Sequence, residues 1–288
     1  MMTCGGSTGM RVASLARVTA YPTAPAHLPP AGVSLLELLH LDRLGDDHFR
    51  ADRTFVEQWP LYGGQVMAQA LVAAGRTVEP GRLPHSLTAW FLRPGDSGQP
   101  VELHVDRDRD GGSYSARRVT ARQGGEVVLS LSASFTRGDD DPADEVGPRL
   151  PDVPGPGEPS VGPRLVDVEV SVPPPDHPEW SWPARGWLRC TADLPEDPLL
   201  QSAVLAYISD IFTGLGRLES SAGRSMSTIS HALWLHRPTQ VSEWHLLDLV
   251  PQSVARGRGL YRGELWSADG RLVASVAQES LYRLPRRS

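Results

Sequence analysis

Cysteine is nearly absent from this chain, with Cys4 and Cys190 the only two in 288 residues. Cys4 falls in an irregular N-terminal stretch, so no structural disulfide is expected, which suits a reducing compartment. Long apolar runs are missing too, and none nears the roughly 18 residues that would span a bilayer. The stretch from Met1 to Val18 has only a very short apolar segment between Arg11 and Arg17 and no twin-arginine pair, so no signal peptide is expected. The final Arg286-Arg287-Ser288 is not a Ser-Lys-Leu peroxisomal address, and the expected location is the cytoplasm. Cations are in the minority, 28 Lys and Arg against 34 Asp and Glu, for a net charge of −6. That balance speaks against a nucleic-acid partner gripped by its phosphates, although a local arginine cluster can still hold an anionic substrate. Phosphate-loop spacing is lacking around Gly63-Gly64 and Gly111-Gly112. His231 and His236 have no cysteine or carboxylate at metal-site spacing, so no metal or other cofactor is expected.

What is present is the composition of a globular protein, 40% hydrophobic and 22% charged, in a chain long enough for two domains. Residues 1–33 are rich in Gly, Ala, Pro and Thr without periodicity and read as a disordered tail. Leu35, Leu36, Leu38, Leu39 and Leu41 give a short amphipathic helix, and Phe49–Phe55 a first strand. Tyr62-Gly63-Gly64 breaks the chain before a helix over Gln65–Val78, whose alanines and apolar residues leave no charged face, so it is expected to be buried. Four strands follow at Ser86–Leu92, Val101–Asp108, Ser113–Gln123 and Val127–Arg137, an antiparallel meander with turns at Asp110-Gly111-Gly112 and Gly124-Gly125. Residues 34–138 thus form one unit. Residues 139–184 are crowded with Pro, Gly, Asp and Glu and read as a linker, with Trp180 and Trp182 near its end.

From 185 to 288 the order recurs. A strand over Trp187–Ala192 precedes a helix over Leu199–Phe212, and strands follow at Thr228–Leu235, Trp244–Val250, Gly257–Trp266 and Val273–Arg283. Letters recur as well. Trp90-Phe91-Leu92-Arg93-Pro94 matches Trp234-Leu235-His236-Arg237-Pro238 at an offset of 144, and Gly125, Val128 and Ser130 match Gly270, Val273 and Ser275 at 145. Two blocks in the same order point to a duplicated domain. The fold class is α+β: two tandem units, each a central helix wrapped by an antiparallel sheet. Pairing their edges into one sheet would cover the exposed strands and leave a crevice between the halves.

Tyr62-Gly63-Gly64-Gln65-Val66, Gln69-Ala70-Leu71, His85-Ser86, Phe91-Leu92-Arg93-Pro94-Gly95-Asp96 and Ser115-Ala116-Arg117-Arg118-Val119 run in order through the first unit. The second adds Tyr207-Ile208-Ser209-Asp210, Thr228-Ile229-Ser230-His231, His236-Arg237-Pro238, Arg258-Gly259, Arg262-Gly263-Glu264 and Val276-Ala277-Gln278-Glu279. Together these segments resemble the acyl-CoA thioesterase II family, which has a double hot-dog fold. The resemblance implies an enzyme that hydrolyses fatty acyl-CoA, assembled as a homo-oligomer. It also implies that an Asp, a Thr and a Gln hold and activate a water, and these fall on Asp210, Thr228 and Gln278. The sequence departs from the family pattern in having Ser230 where an Asp is common, and residues 213–226 are short and glycine-rich, which bears on the acyl pocket.

Without the resemblance these residues have ordinary readings. On a helical wheel Asp210 lies beside the apolar arc of Leu200, Val204, Ile208, Ile211 and Phe212, near Ala203 and Ala206, and could equally be a helix-end acid facing solvent. Thr228 is a good strand former, and Gln278 a buried amide that a neighbouring backbone can satisfy. In combination they suit a thioester. Asp210 accepts a proton from a held water, and the thiol leaving group needs no strong acid. Arg237, Arg256, Arg258 and Arg262 are the candidate contacts for the substrate's phosphates. Two rivals share the fold: an acyl-CoA-binding protein without turnover, and an enoyl-CoA hydratase. The second would want a histidine after Asp197, where Leu199 and Leu200 stand. At the two offsets Thr228 falls on Pro84 and Gln278 on Ala133, so one active site per chain is expected, in the second unit.

Overall fold

The computed structural model describes residues 33–52, 60–138, 146–159, 165–176 and 183–284. The expected tail up to residue 32, the end of the first expected strand, Trp180 and Trp182 lie outside them. A short helix, α1 (Leu35–Leu38), is fixed by a reciprocal capping box between Ser34 and Glu37 and buries Leu35 and Leu38. Strands β1 (Asp42–Arg43) and β2 (His48–Ala51) precede the first long helix, α2 (Gly63–Gly75). The expected break at Tyr62-Gly63-Gly64 is instead this helix's first turn, and the helix stops three residues before Val78. Then come β3 (Leu83–Phe91), β4 (Val101–Asp110), β5 (Tyr114–Gln123) and β6 (Glu126–Thr136).

Part of the stretch expected as linker joins the sheet. Residues Val168–Ser171 form β7, paired antiparallel with β8 (Arg185–Cys190). Its Val170 turns into the core, which the surrounding Pro and Gly concealed. Helix α3 (Pro198–Ser209) opens with Asp197 as N-cap, whose carboxylate accepts the Leu199 N–H at 2.9 Å, and with Pro198 in the first turn, where proline is tolerated. It ends at Ser209, three residues before Phe212, because the chain turns into two short 3-10 segments, Gly214–Arg217 and Glu219–Ser221. The stretch Pro198–Arg217 is apolar and long enough to be weighed as a membrane span, yet it is mostly buried inside the protein, where its apolarity serves the core. Strands β9 (Thr228–Leu235), β10 (His245–Ala255), β11 (Arg258–Ser267) and β12 (Leu272–Leu281) complete the second unit.

All twelve strands form one sheet in the order β1-β2-β4-β5-β6-β3-β9-β12-β11-β10-β8-β7. The two units meet where β3 pairs antiparallel with β9, Ser86 opposite Trp234 and Trp90 opposite Ser230. The middle pair of this seam is Thr88 with Ala232, residues 144 positions apart. The offset read from the letters is therefore the operation of a pseudo-two-fold axis through the seam.

Against this sheet the two long helices run antiparallel and very close. A Cβ on Gly64 would press on the Tyr207 carbonyl at 2.5 Å, and one on Gly75 would overlap the Leu199 side chain, so glycine at both ends of α2 lets α3 lie against it. Buried residues of both units make one core, from Leu35 and Met67 to Ile208 and Val276.

Candidate active site

Asp210 is the C-cap of α3, where a carboxylate is disfavoured by the helix dipole. It is tolerated because it faces the start of α2, whose own N-cap, Tyr62, supplies no side-chain bond. A backbone hydrogen bond from Gly64 reaches Asp210, so the second unit's acid caps the first unit's helix. A Cβ on Gly63 would lie 2.7 Å from Asp210 Oδ2, which leaves the approach open only to glycine. The first copy is thus more than a wall of the crevice, since it donates to the acid.

Thr228 and Gln278 reach the same carboxylate. The Thr228 hydroxyl donates to Asp210 Oδ1 at 3.1 Å, and the Gln278 amide nitrogen donates to Oδ1 at 2.9 Å and to Thr228 Oγ1 at 2.7 Å. A β-bulge brings them together. Gln278 pairs with His231 and Glu279 with Ser230, but Ser280 pairs with Thr228, skipping Ile229. Strict alternation from His231 would turn Thr228 to the other face; the extra residue re-aims it at Gln278. The same bulge recurs in β3, where Pro84 pairs with Phe135 and Ser86 with Ser134, skipping His85. It belongs to the unit, and only the residues on it differ between the copies.

Burial pushes the Asp210 carboxyl up to about 6, held back by its hydrogen bonds from Thr228, Gln278 and Gly64. Its side chain is 5% exposed. Two tyrosines flank it, the partly buried Tyr62, whose hydroxyl donates to the Tyr207 carbonyl at 2.8 Å, and the buried Tyr261. Burial first and the Asp210 charge second raise both well above the ordinary tyrosine value, so both stay protonated at neutral pH.

His231, for which the sequence offers no metal-site spacing, stands behind Gln278. Its Nδ1 lies 2.7 Å from Gln278 Oε1 and its Nε2 2.9 Å from Ser209 Oγ. The ring is fully buried, which lowers its pKa to about 4. It is neutral at physiological pH, and its 3.7 Å approach to Asp210 Oδ1 is neither an ion pair nor a hydrogen bond.

Asp210, Thr228 and Gln278 line a cavity of about 520 Å³ together with Phe212, Met226 and Tyr261. Of the four arginines expected to meet the phosphates, none lines it. Arg256 sits at the β10–β11 turn with a left-handed backbone, Arg258 pairs with Glu279 at 2.8 Å, and Arg262 is exposed on β11. Arg237 donates to the Leu272 carbonyl at 2.6 Å and borders a different cavity, about 880 Å³, beside the start of α3. The cation on the rim of the first cavity is Arg224, laid over the Tyr282 ring at 4.7 Å. Nothing in its surroundings, Gly223-Arg224-Ser225, singles it out in the sequence.

In the first copy the site is absent. Pro84 and Ala133 occupy the positions of Thr228 and Gln278, and the C-cap of α2, where α3 has Asp210, is Arg76. Its guanidinium donates to the Leu41 carbonyl at 2.8 Å. Asp197, the acid a hydratase would need, is engaged as the α3 cap.

Comparison with known proteins agrees with this architecture half by half. The family described as acyl-CoA thioesterase N-terminal domain matches residues 55–136, and that described as acyl-CoA thioesterase C-terminal domain matches residues 140–282. Acyl-CoA thioesterase 2 of Haemophilus influenzae is 31% identical over 279 residues, covering 87% of this chain and 97% of the relative. Human acyl-coenzyme A thioesterase 8 is 30% identical, covering 88% of this chain and 89% of its own. Among solved structures, an acyl-CoA thioesterase II from Mycobacterium marinum superposes with a TM-score of 0.74 at 35% identity, covering 88% of this chain and 98% of that one. With both units matched in order and the likeness running across nearly the whole length of these relatives, the chain belongs to the acyl-CoA thioesterase II family of double hot-dog enzymes.

Proposed function

We propose that this enzyme hydrolyses fatty acyl-CoA to free fatty acid and CoA, with Asp210, Thr228 and Gln278 acting on a single water and with no covalent intermediate. The observation that carries the reading is the convergence of these three side chains on one cavity, around a carboxyl raised to about 6. That value places the base near the pH at which it must work. Asp210 takes a proton from the water as its oxygen attacks the thioester carbonyl. The carbon–sulfur bond breaks, and the proton passes from Asp210 to the departing thiolate. A thiol of pKa about 8.5 leaves readily, so neither a metal nor a histidine acid is required.

Arg224, on the cavity rim, is the cation suited to the CoA phosphates. Thr228 and Gln278 position the water, and the first turn of α2 offers backbone donors for the developing oxyanion. Association into a homo-oligomer is part of this reading and is measured by light scattering on the purified chain. Release of free thiol from a series of acyl-CoA chain lengths tests the activity. Wild-type release, lost in Asp210→Asn with acyl-CoA binding retained, supports the mechanism; undiminished release in that variant overturns it. Binding without release in the wild type would point to a carrier, and loss of enoyl absorbance without thiol to a hydratase.

A further inference from the structure

One buried titratable group has no part in the steps above. His231 lies on β9 at the seam, opposite Ala89 of the first unit on one side and Gln278 of β12 on the other. Both its nitrogens are engaged, so neither can take a proton from a water in the cavity.

Counting protons fixes what it does instead. An ionised carboxylate only accepts, so the side of the Gln278 amide facing Asp210 must be the NH2, which also donates to Thr228 Oγ1. The amide oxygen then faces His231, and Nδ1 must be the protonated nitrogen, donating to Oε1 at 2.7 Å. In a neutral ring Nε2 is left as an acceptor. The Ser209 hydroxyl has one proton; with Nε2 an acceptor at 2.9 Å it donates there, and the Ala206 carbonyl at 3.0 Å is the alternative acceptor it gives up. The order Ser209, His231, Gln278, Asp210 is thus a directed chain of donors. A glutamine amide can turn over, exchanging oxygen for nitrogen. With the oxygen turned inward it would repel the carboxylate and lose both donations.

We propose that His231 is the positioning residue for Gln278, holding its amide in the one orientation that donates to Asp210 and Thr228. The proposal rests on the reading of those three as the water-holding groups. The other copy supplies independent support. At the equivalent register of β3 and β6, Leu87 pairs with Ala133, both buried. An apolar side chain therefore satisfies the fold at this position, and the imidazole occurs where the amide does.

The test is a double-mutant cycle on the full chain, with His231→Leu, Gln278→Ala and their combination compared by kcat and KM. His231→Leu is expected to lower kcat roughly 10- to 100-fold, as for a lost supporting hydrogen bond, with KM nearly unchanged. In the Gln278→Ala background it should cost nothing further. His231→Asn, whose amide nitrogen can stand near the Nδ1 position, should recover most of the rate, while His231→Gln should not. The proposal is overturned by wild-type kcat in His231→Leu, by an equal loss with and without Gln278, or by Gln rescuing as well as Asn. The last comparison holds if the leucine variant does not fold. Asp210→Asn in the same assay keeps the two readings apart. Its failure to abolish turnover sinks the water-holding assignment, whereas a dead Asp210→Asn beside a fully active His231→Leu sinks only the role of His231.

Discussion

Asp210 is held charged in a place that resists charge, and stability should record this. Its pKa in the folded protein is about 6 against an ordinary 3.8. Between those values the folded chain keeps a proton that the unfolded chain has lost, so stability falls as pH rises through this window. The cost at neutral pH is on the order of 2–3 kcal/mol. Asp210→Asn removes that titration. Urea denaturation should show the variant gaining on the wild type by about that amount between pH 4 and 7; a constant difference would contradict the raised pKa. In the proposed mechanism turnover carries the opposite sign, because Asp210 must be ionised to act as the base. The logarithm of kcat should climb with pH up to about 6 and level off above; an inflection near 4 would contradict the raised pKa of Asp210. The Arg224 guanidinium donates to the Ser220 carbonyl at 2.6 Å and lies over the Tyr282 ring. Arg224→Ala is therefore expected to raise KM for acyl-CoA several-fold while kcat holds, and a kcat-only effect would remove it from phosphate binding.

At the scale of elements, α3 is set by its cap and α2 by its glycines. Asp197→Ala should cost about 1 kcal/mol of stability, the usual loss of an N-cap, and leave kcat intact. A collapse of turnover there, with the fold preserved, would revive the hydratase reading. Gly64→Ala drives a Cβ into the Tyr207 carbonyl and displaces the N–H that reaches Asp210. It should destabilise by about 1–3 kcal/mol and also depress kcat, two losses measurable separately by thermal melting and thiol release. The elements themselves were largely legible. Period-2 stretches gave β4 and β9 within a residue or two of their ends, since half-buried strands alternate. Helix ends were less so. The glycines at 63 and 64 read as a breaker in isolation, but a helix start needs small residues here only because α3 lies against it. β7 was invisible because four residues between prolines carry too little pattern to outweigh them.

For the whole molecule, the seam and the shared core decide how it melts. Ser86–Trp90 hydrogen-bond to Ser230–Trp234, and α2 packs on α3, so the main core is shared by both units, with only a small cluster of Trp187, Leu246 and Trp266 set apart in the second. Calorimetry should find one transition with calorimetric and van't Hoff enthalpies in agreement; two separated transitions would mean the units fold independently. A proline at Thr88, central to the seam, removes a ladder donor and should lower that single transition rather than split it.

The sequence alone determined that there are two units, since burial of a helix in a sheet imposes periodicities on the letters, and duplication leaves an offset that survives divergence. It also determined that the Asp, Thr and Gln stand in the second copy, because Pro84 and Ala133 lack their chemistry. Only the tertiary structure decided how they meet. The residue skipped at Ile229 turns Thr228 towards Gln278, against the alternation that strands otherwise obey. The acid ending one helix caps the start of another, more than a hundred residues earlier in the chain. His231 orients an amide through a bond between neighbouring strands. Such contacts join residues far apart in the chain, and a local pattern has no means of recording them.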